Sequence, residues 1–164
     1  EVRPDKVTLV PEKREERTTE GGLDVVGQRD AVRDVVARLR DASVPVSLFI
    51  DPEDAQVRAS AEVGAAEIEL HTGDYANASA AAAARELERL QAAAQSAAKH
   101  APDLHVAAGH GLTVRNTGPL VTRVARIGEL NIGHALVADA VYVGLPEAVR
   151  RFRDVIAAAE RERA

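Results

Sequence analysis

Three of the five histidines in this 164-residue chain close short apolar runs and lie next to or near a glycine. They are His71 in IELHTG, His110 in AGHG and His134 in NIGHA. Imidazole gains and loses a proton near neutral pH, so each can serve as a general acid or base. Glu69, two residues before His71, puts a carboxylate into an otherwise apolar stretch, where an unused charge is expensive. Gly109, Gly111 and Gly133 leave backbone N–H groups unobstructed, and the segments after them can start helices whose N-termini attract anions. Together these features predict acid–base chemistry on a small phosphorylated compound. No Gly-x-x-x-x-Gly-Lys-Ser/Thr loop occurs, and no Gly-x-Gly-x-x-Gly fingerprint follows an apolar run. The two common nucleotide-binding motifs are therefore excluded. His71, His110, His134 and Glu69 are also metal-ligand types, but their spacing forms no compact metal motif, and no metal is expected. His100 and His105 stand apart from the others and read as surface or structural residues.

The elements that must position these groups are legible in the hydrophobic pattern. Val7–Val10, Val46–Ile50, Glu67–Leu70, Leu104–Ala108 and Glu129–Ile132 are short apolar runs that end in Pro, Asp, His or Gly, and several are rich in β-branched residues. They read as strands. Helical periodicity fills the gaps: Val32, Val35, Val36 and Leu39 share one face, and the Ala-rich stretch Ala78–His100 carries Leu87, Leu90 and Ala94 on another. Asp51-Pro52 reads as an N-cap followed by proline at the first helical position. A weaker helix is predicted over Asn116–Arg126 and a final one over Pro146–Ala164. The order βαβαβαβαβ plus a helix predicts parallel strands joined by right-handed crossovers. Two architectures satisfy it: an open doubly wound sheet, or part of a (β/α)8 barrel. Both gather ligands at the carboxyl ends of the strands. That rim would collect Glu12 and Lys13, Asp51, Glu69 and His71, His110, and Gly133 with His134. No linker interrupts residues 1–164, so one domain is expected.

Bulk composition narrows the function further. Apolar residues make up 46% of the chain and aromatics 2%, so the core must be aliphatic. The net charge of −5, with no basic stripe, argues against nucleic acid. No apolar run approaches the length of a membrane span and no signal peptide opens the sequence, which predicts no membrane partner and a cytoplasmic setting. Cysteine is absent, excluding disulfides and thiolate ligands.

The ordered segments LVPEKREERTTEGGLDV, VSLFID, IELHTGDYA, AGHGLTVRN and ELNIGHALVADAV closely resemble the pyridoxine 5′-phosphate synthase family. The likeness runs from Thr8 nearly to the C-terminus. It implies a TIM (β/α)8 barrel that condenses 1-deoxy-D-xylulose 5-phosphate with 3-amino-2-oxopropyl phosphate. The products are pyridoxine 5′-phosphate, inorganic phosphate and water, and neither a metal nor an organic cofactor takes part. By the same resemblance His110 matches the general acid, and Glu69 a carboxylate that stabilises the transition state. Gly111, Gly133 and His134 match contacts to the aminoketone phosphate, and Thr18 a contact to the deoxyxylulose phosphate. Residues 12–23 match a lid that would keep water from reactive intermediates. Homo-oligomers are also implied.

The family has eight strands and five are legible here, matching its fourth to eighth. The expectation is a partial (β/α)8 barrel of five parallel strands alternating with helices. The resemblance assigns both general bases, and most contacts to the deoxyxylulose phosphate, to the first three strands. The chain alone is therefore expected to be inactive, and its two open sheet edges to favour self-association. The alternative is a non-catalytic α/β module that binds small phosphates.

Overall fold

A computed structural model describes residues 4–11 and 21–164. Five strands form one sheet: β1 (Val7–Leu9), β2 (Val46–Ile50), β3 (Glu67–His71), β4 (His105–Gly109) and β5 (Glu129–Asn131). Every neighbouring pair is parallel, and the order across the sheet is the order along the chain. The helices between them are α1 (Arg29–Asp41), α2 (Asp54–Glu62), α3 (Gly73–Asn77), α4 (Ala80–His100) and α5 (Val114–Arg123), with α6 (His134–Val143) and α7 (Leu145–Arg163) after β5. This is the partial barrel expected from the sequence, and the sheet is not closed.

The two faces of the sheet have different jobs. Leu48, Ile50, Ile68, Leu70, Val106 and Ala108 join one buried cluster with Val32, Val36, Val57, Leu90, Ala93, Ala97 and Leu120 from the helices. Each fully buried Leu, Ile or Val contributes about 1.5–3 kcal/mol relative to exposure. Small residues on α4 (Ala93, Ala94 and Ala97) let its backbone approach closely. The alternate positions carry Ser47, Phe49, Glu67, Glu69, His71, Ala107 and Gly109, all buried on the other face. At the amino ends of the strands, Lys6 Nζ lies 2.7 Å from Glu67 Oε1 and 2.8 Å from Glu129 Oε1, tying β3 and β5 to the residue before β1.

Three details depart from the sequence reading. Asp51 is not a helix cap: α2 begins at Asp54 with Glu53 at its N-cap, because the Asp51 side chain is engaged at the strand rim. Helix α5 starts two residues earlier than expected, where Thr113 and Asn116 form a reciprocal capping box. Two helices were not anticipated, α3 and α6. The first is only five residues long. The second buries none of its residues and leaves Val137, Val141 and Tyr142 exposed, so no amphipathic period marks it. Among the described residues no helix is long and apolar enough to cross a membrane.

Candidate functional site

The carboxyl ends of β3, β4 and β5 bring the singled-out residues together. His110 follows β4 with φ 83°, a left-handed conformation that costs a non-glycine residue about 1 kcal/mol or more. Thr72, fully buried after β3, holds it there. Its hydroxyl oxygen lies 2.7 Å from the Gly109 carbonyl and 2.6 Å from the His110 carbonyl, and donates its single hydrogen between them. The Thr72 N–H also donates to the Gly109 carbonyl, at 2.9 Å. Gly111 continues the turn with φ 73°, and a Cβ there would lie 2.6 Å from that of Ala76. The chain then enters α5, where Asn116 donates to the Gly111 carbonyl.

This turn lines one side of a cavity of about 320 Å³. His110, Gly111 and Thr113 face Asn131, Gly133 and His134 across it, so the first turns of α5 and α6 meet there. Gly133 has open space where a Cβ would be. Two helix N-termini, two glycines and a histidine suit a phosphate-sized anion.

Glu69 lies one layer deeper and is 9% exposed. Asn131 donates to its Oε2 at 2.8 Å. Burial pushes the Glu69 carboxyl above the ordinary carboxylate value, and the Asn131 hydrogen bond opposes that shift. A Cβ on Gly109 would overlap Glu69 Oε1, so the glycine before His110 makes room for the carboxylate. The His110 imidazole is held below the ordinary imidazole value, first by burial and then by His71 and His134. A neutral imidazole can accept a proton, or deliver one once an anion binds beside it.

The structure therefore gathers His110, Gly111, Gly133, His134 and Glu69 on one rim, with His71 stacked edge-on to His110 at 5.0 Å between ring centroids. Thr18, and most of the expected lid over residues 12–23, lie outside the described residues. His100 and His105 are exposed and away from the rim. Sequence reasoning missed Asn131, Thr72 and Phe49, whose ring packs 5.1 Å from that of His71. Strand alternation was the available signal: Asn131 is two residues after Glu129, and Phe49 pairs in register with Glu69. No group of metal-ligating side chains forms among the described residues.

The family described as pyridoxal phosphate biosynthesis protein PdxJ matches residues 1–158. Curated relatives include the pyridoxine 5′-phosphate synthases of Synechococcus sp. strain JA-2-3B'a(2-13), 55% identical over 95% of this chain, and of Sulfurihydrogenibium sp., 49% identical over 99%. The enzyme of that name from Neisseria meningitidis is 49% identical over 94%. The chain spans 64%, 65% and 63% of those three proteins. Among solved structures, a chain of the Amycolatopsis orientalis BexX/CysO complex superposes with a TM-score of 0.57. It is 20% identical over 87% of this chain and 52% of its own length, which supports the fold alone. By its motifs, its fold and these relatives, the chain belongs to the PdxJ family of pyridoxal phosphate biosynthesis proteins.

Proposed function

We propose that this chain forms the acid and aminoketone-phosphate half of a cytoplasmic pyridoxine 5′-phosphate synthase. The reaction is the condensation of 1-deoxy-D-xylulose 5-phosphate with 3-amino-2-oxopropyl phosphate. The observation that carries this reading is His110 at the edge of the cavity shared by Gly111, Gly133 and His134, with Glu69 in the layer below. The aminoketone phosphate would bind between the first turns of α5 and α6, held by the N–H groups of Gly111 and Gly133 and by His134. Fixing the phosphate orients the reacting carbons. His110 then delivers the proton that lets water leave as the ring closes. Glu69 stabilises positive charge that develops on nitrogen nearby. No organic cofactor or metal is needed for these steps.

The general bases are proposed to come from the βα units that the longer relatives possess. The 164-residue chain is then a partial machine. A second reading, a phosphate-binding module without catalysis, draws support from the open sheet. Phosphate release from the two substrates separates the two. The chain alone should release none. Adding the first three βα units of a relative should restore release, and His110→Ala should abolish it. Phosphate binding with no release in the complemented form would favour the module. Homo-oligomers are proposed as well, supported by the exposed apolar surface of α6 and the short edge strands β1 and β5.

A further inference from the structure

His71 is buried at 6% exposure, yet the functional reading gives it no task. Its Nδ1 lies 3.1 Å from Asp51 Oδ1, and its Nε2 has no partner among the described residues. The same Asp51 oxygen accepts the N–H of Gly22 at 3.0 Å, which braces the carboxylate from the other side. A neutral imidazole beside an ionised carboxylate carries its hydrogen on the facing nitrogen, which leaves the lone pair on the other. Asp51 thus selects the tautomer in which Nε2 is a bare acceptor. Space is kept for that edge: a Cβ on Gly73 would lie 2.5 Å from His71 Nε2 and 3.2 Å from His110 Cδ2. The two imidazoles meet edge to face at 5.0 Å and 61°, and Phe49 packs against both, at 5.1 and 6.4 Å.

We propose that Asp51 and His71 form a positioning pair for His110. The carboxylate locks the buried ring of His71, and that ring in turn sets the orientation of the His110 imidazole on its left-handed backbone. The proposal rests on the reading of His110 as the acid. A ring free to rotate would present either nitrogen to the substrate, whereas a ring held edge-on presents one. Among the described residues, Glu69 lies on β3 itself, His134 opens α6, and Asp74 of α3 is exposed and paired with Arg89.

The test uses the 164-residue chain labelled with ¹⁵N, and reads ring nitrogens by NMR across pH with and without inorganic phosphate. His71 should show a protonated Nδ1 and a bare Nε2 at neutral pH. In His71→Gln the fixed orientation of the His110 ring should be lost, read as weakened ring-proton contacts from His110 to Phe49 and Gly73. Asp51→Asn should remove the single-tautomer signature of His71. A protonated Nε2 in the unsubstituted chain overturns the proposal, and so do unchanged His110 ring contacts in a folded His71→Gln protein. The tautomer measurement needs no variant, so it decides even if His71→Gln fails to fold. Phosphate gives the separate check on function. If it leaves Gly111, Gly133 and His134 undisturbed in the unsubstituted chain, the phosphate-site reading fails while the tautomer result still judges the positioning pair.

Discussion

Replacing Glu69 by Gln tests whether the site stores an electrostatic cost. Glu69 is 9% exposed and receives one hydrogen bond, from Asn131 at 2.8 Å. Burial raises its folded-state pKa above the ordinary 4.5, partly offset by Asn131, while Glu67 raises it further and Lys6 lowers it. The folded protein therefore binds more protons than the unfolded chain between 4.5 and the raised value. Stability contributed by this group is full below that window and falls as pH rises through it. Gln has the same shape, can accept the Asn131 hydrogen with its own oxygen, and never ionises. Above the window Glu69→Gln should be more stable by the cost of a partly compensated buried charge, on the order of 1–3 kcal/mol. For a domain of this size each kcal/mol is about 2–4 °C in Tm. Urea denaturation followed by circular dichroism at pH 4 and pH 8 reads the difference. The variant should gain at pH 8 and match the parent near pH 4, where both side chains are neutral. A variant equally or less stable at pH 8 would refute the reasoning, as would the same gap at both pH values.

Three further outcomes follow from the geometry. Gly111→Ala combines a left-handed φ with a Cβ 2.6 Å from Ala76, and should cost about 1–3 kcal/mol; Gly133→Ala meets open space and should leave thermal stability within about 0.5 kcal/mol. Lys6→Met leaves Glu67, only 10% exposed, without its cation and should cost about 1–3 kcal/mol at pH 7, with part recovered in a Lys6→Met/Glu67→Gln double variant. Burial opposes the Lys6 charge, but Glu129 and Glu67 outweigh it and raise the pKa above 10.5. With Glu67 and Glu129 ionised, the Lys6 charge therefore contributes fully below pH 10.5, and that contribution is lost as pH climbs through the raised value. On α6, Val141 and Tyr142 are 79% and 89% exposed, so Val141→Lys/Tyr142→Glu should shift sedimentation toward the monomer if that surface joins copies of the chain.

The central strands were legible because burial on both faces gives β2, β3 and β4 compact, largely apolar runs with abrupt polar ends. VSLFI and EIELH differ from the predicted boundaries by at most one residue. Helix α6 was not, since none of its side chains is buried and the amphipathic period that reveals a helix is missing. Within the site, His110, Glu69 and the glycines were visible as residue types at strand ends. Thr72 was not, because a hydroxyl in such a place has no signature until its partner is known, and Asn131 was marked only by its strand alternation with Glu129. Asp51 shows the same limit in sharper form. Asp-Pro before a helical pattern is a good capping signal, but the carboxylate instead serves Gly22 and His71, from elements 29 and 20 residues away.

Glycine is a poor choice for holding an imidazole by packing, yet His110 is flanked by two. Each neighbouring glycine clears a different obstacle. Gly109 leaves room for the Glu69 carboxylate, Gly111 takes the left-handed turn against Ala76, and Gly73 opens the space that the edges of His71 and His110 share. The imidazole is secured instead through its backbone, by the Thr72 hydroxyl and N–H, and through its ring, by His71 and Phe49. Backbone restraint is what a strained residue needs, since a side chain alone cannot hold φ at 83°. The site is thus shaped as much by absent Cβ atoms as by the side chains present. Alanine, normally the mildest substitution, should therefore be costly at Gly73, Gly109 and Gly111, while Gly133 on the far side of the same cavity should tolerate it.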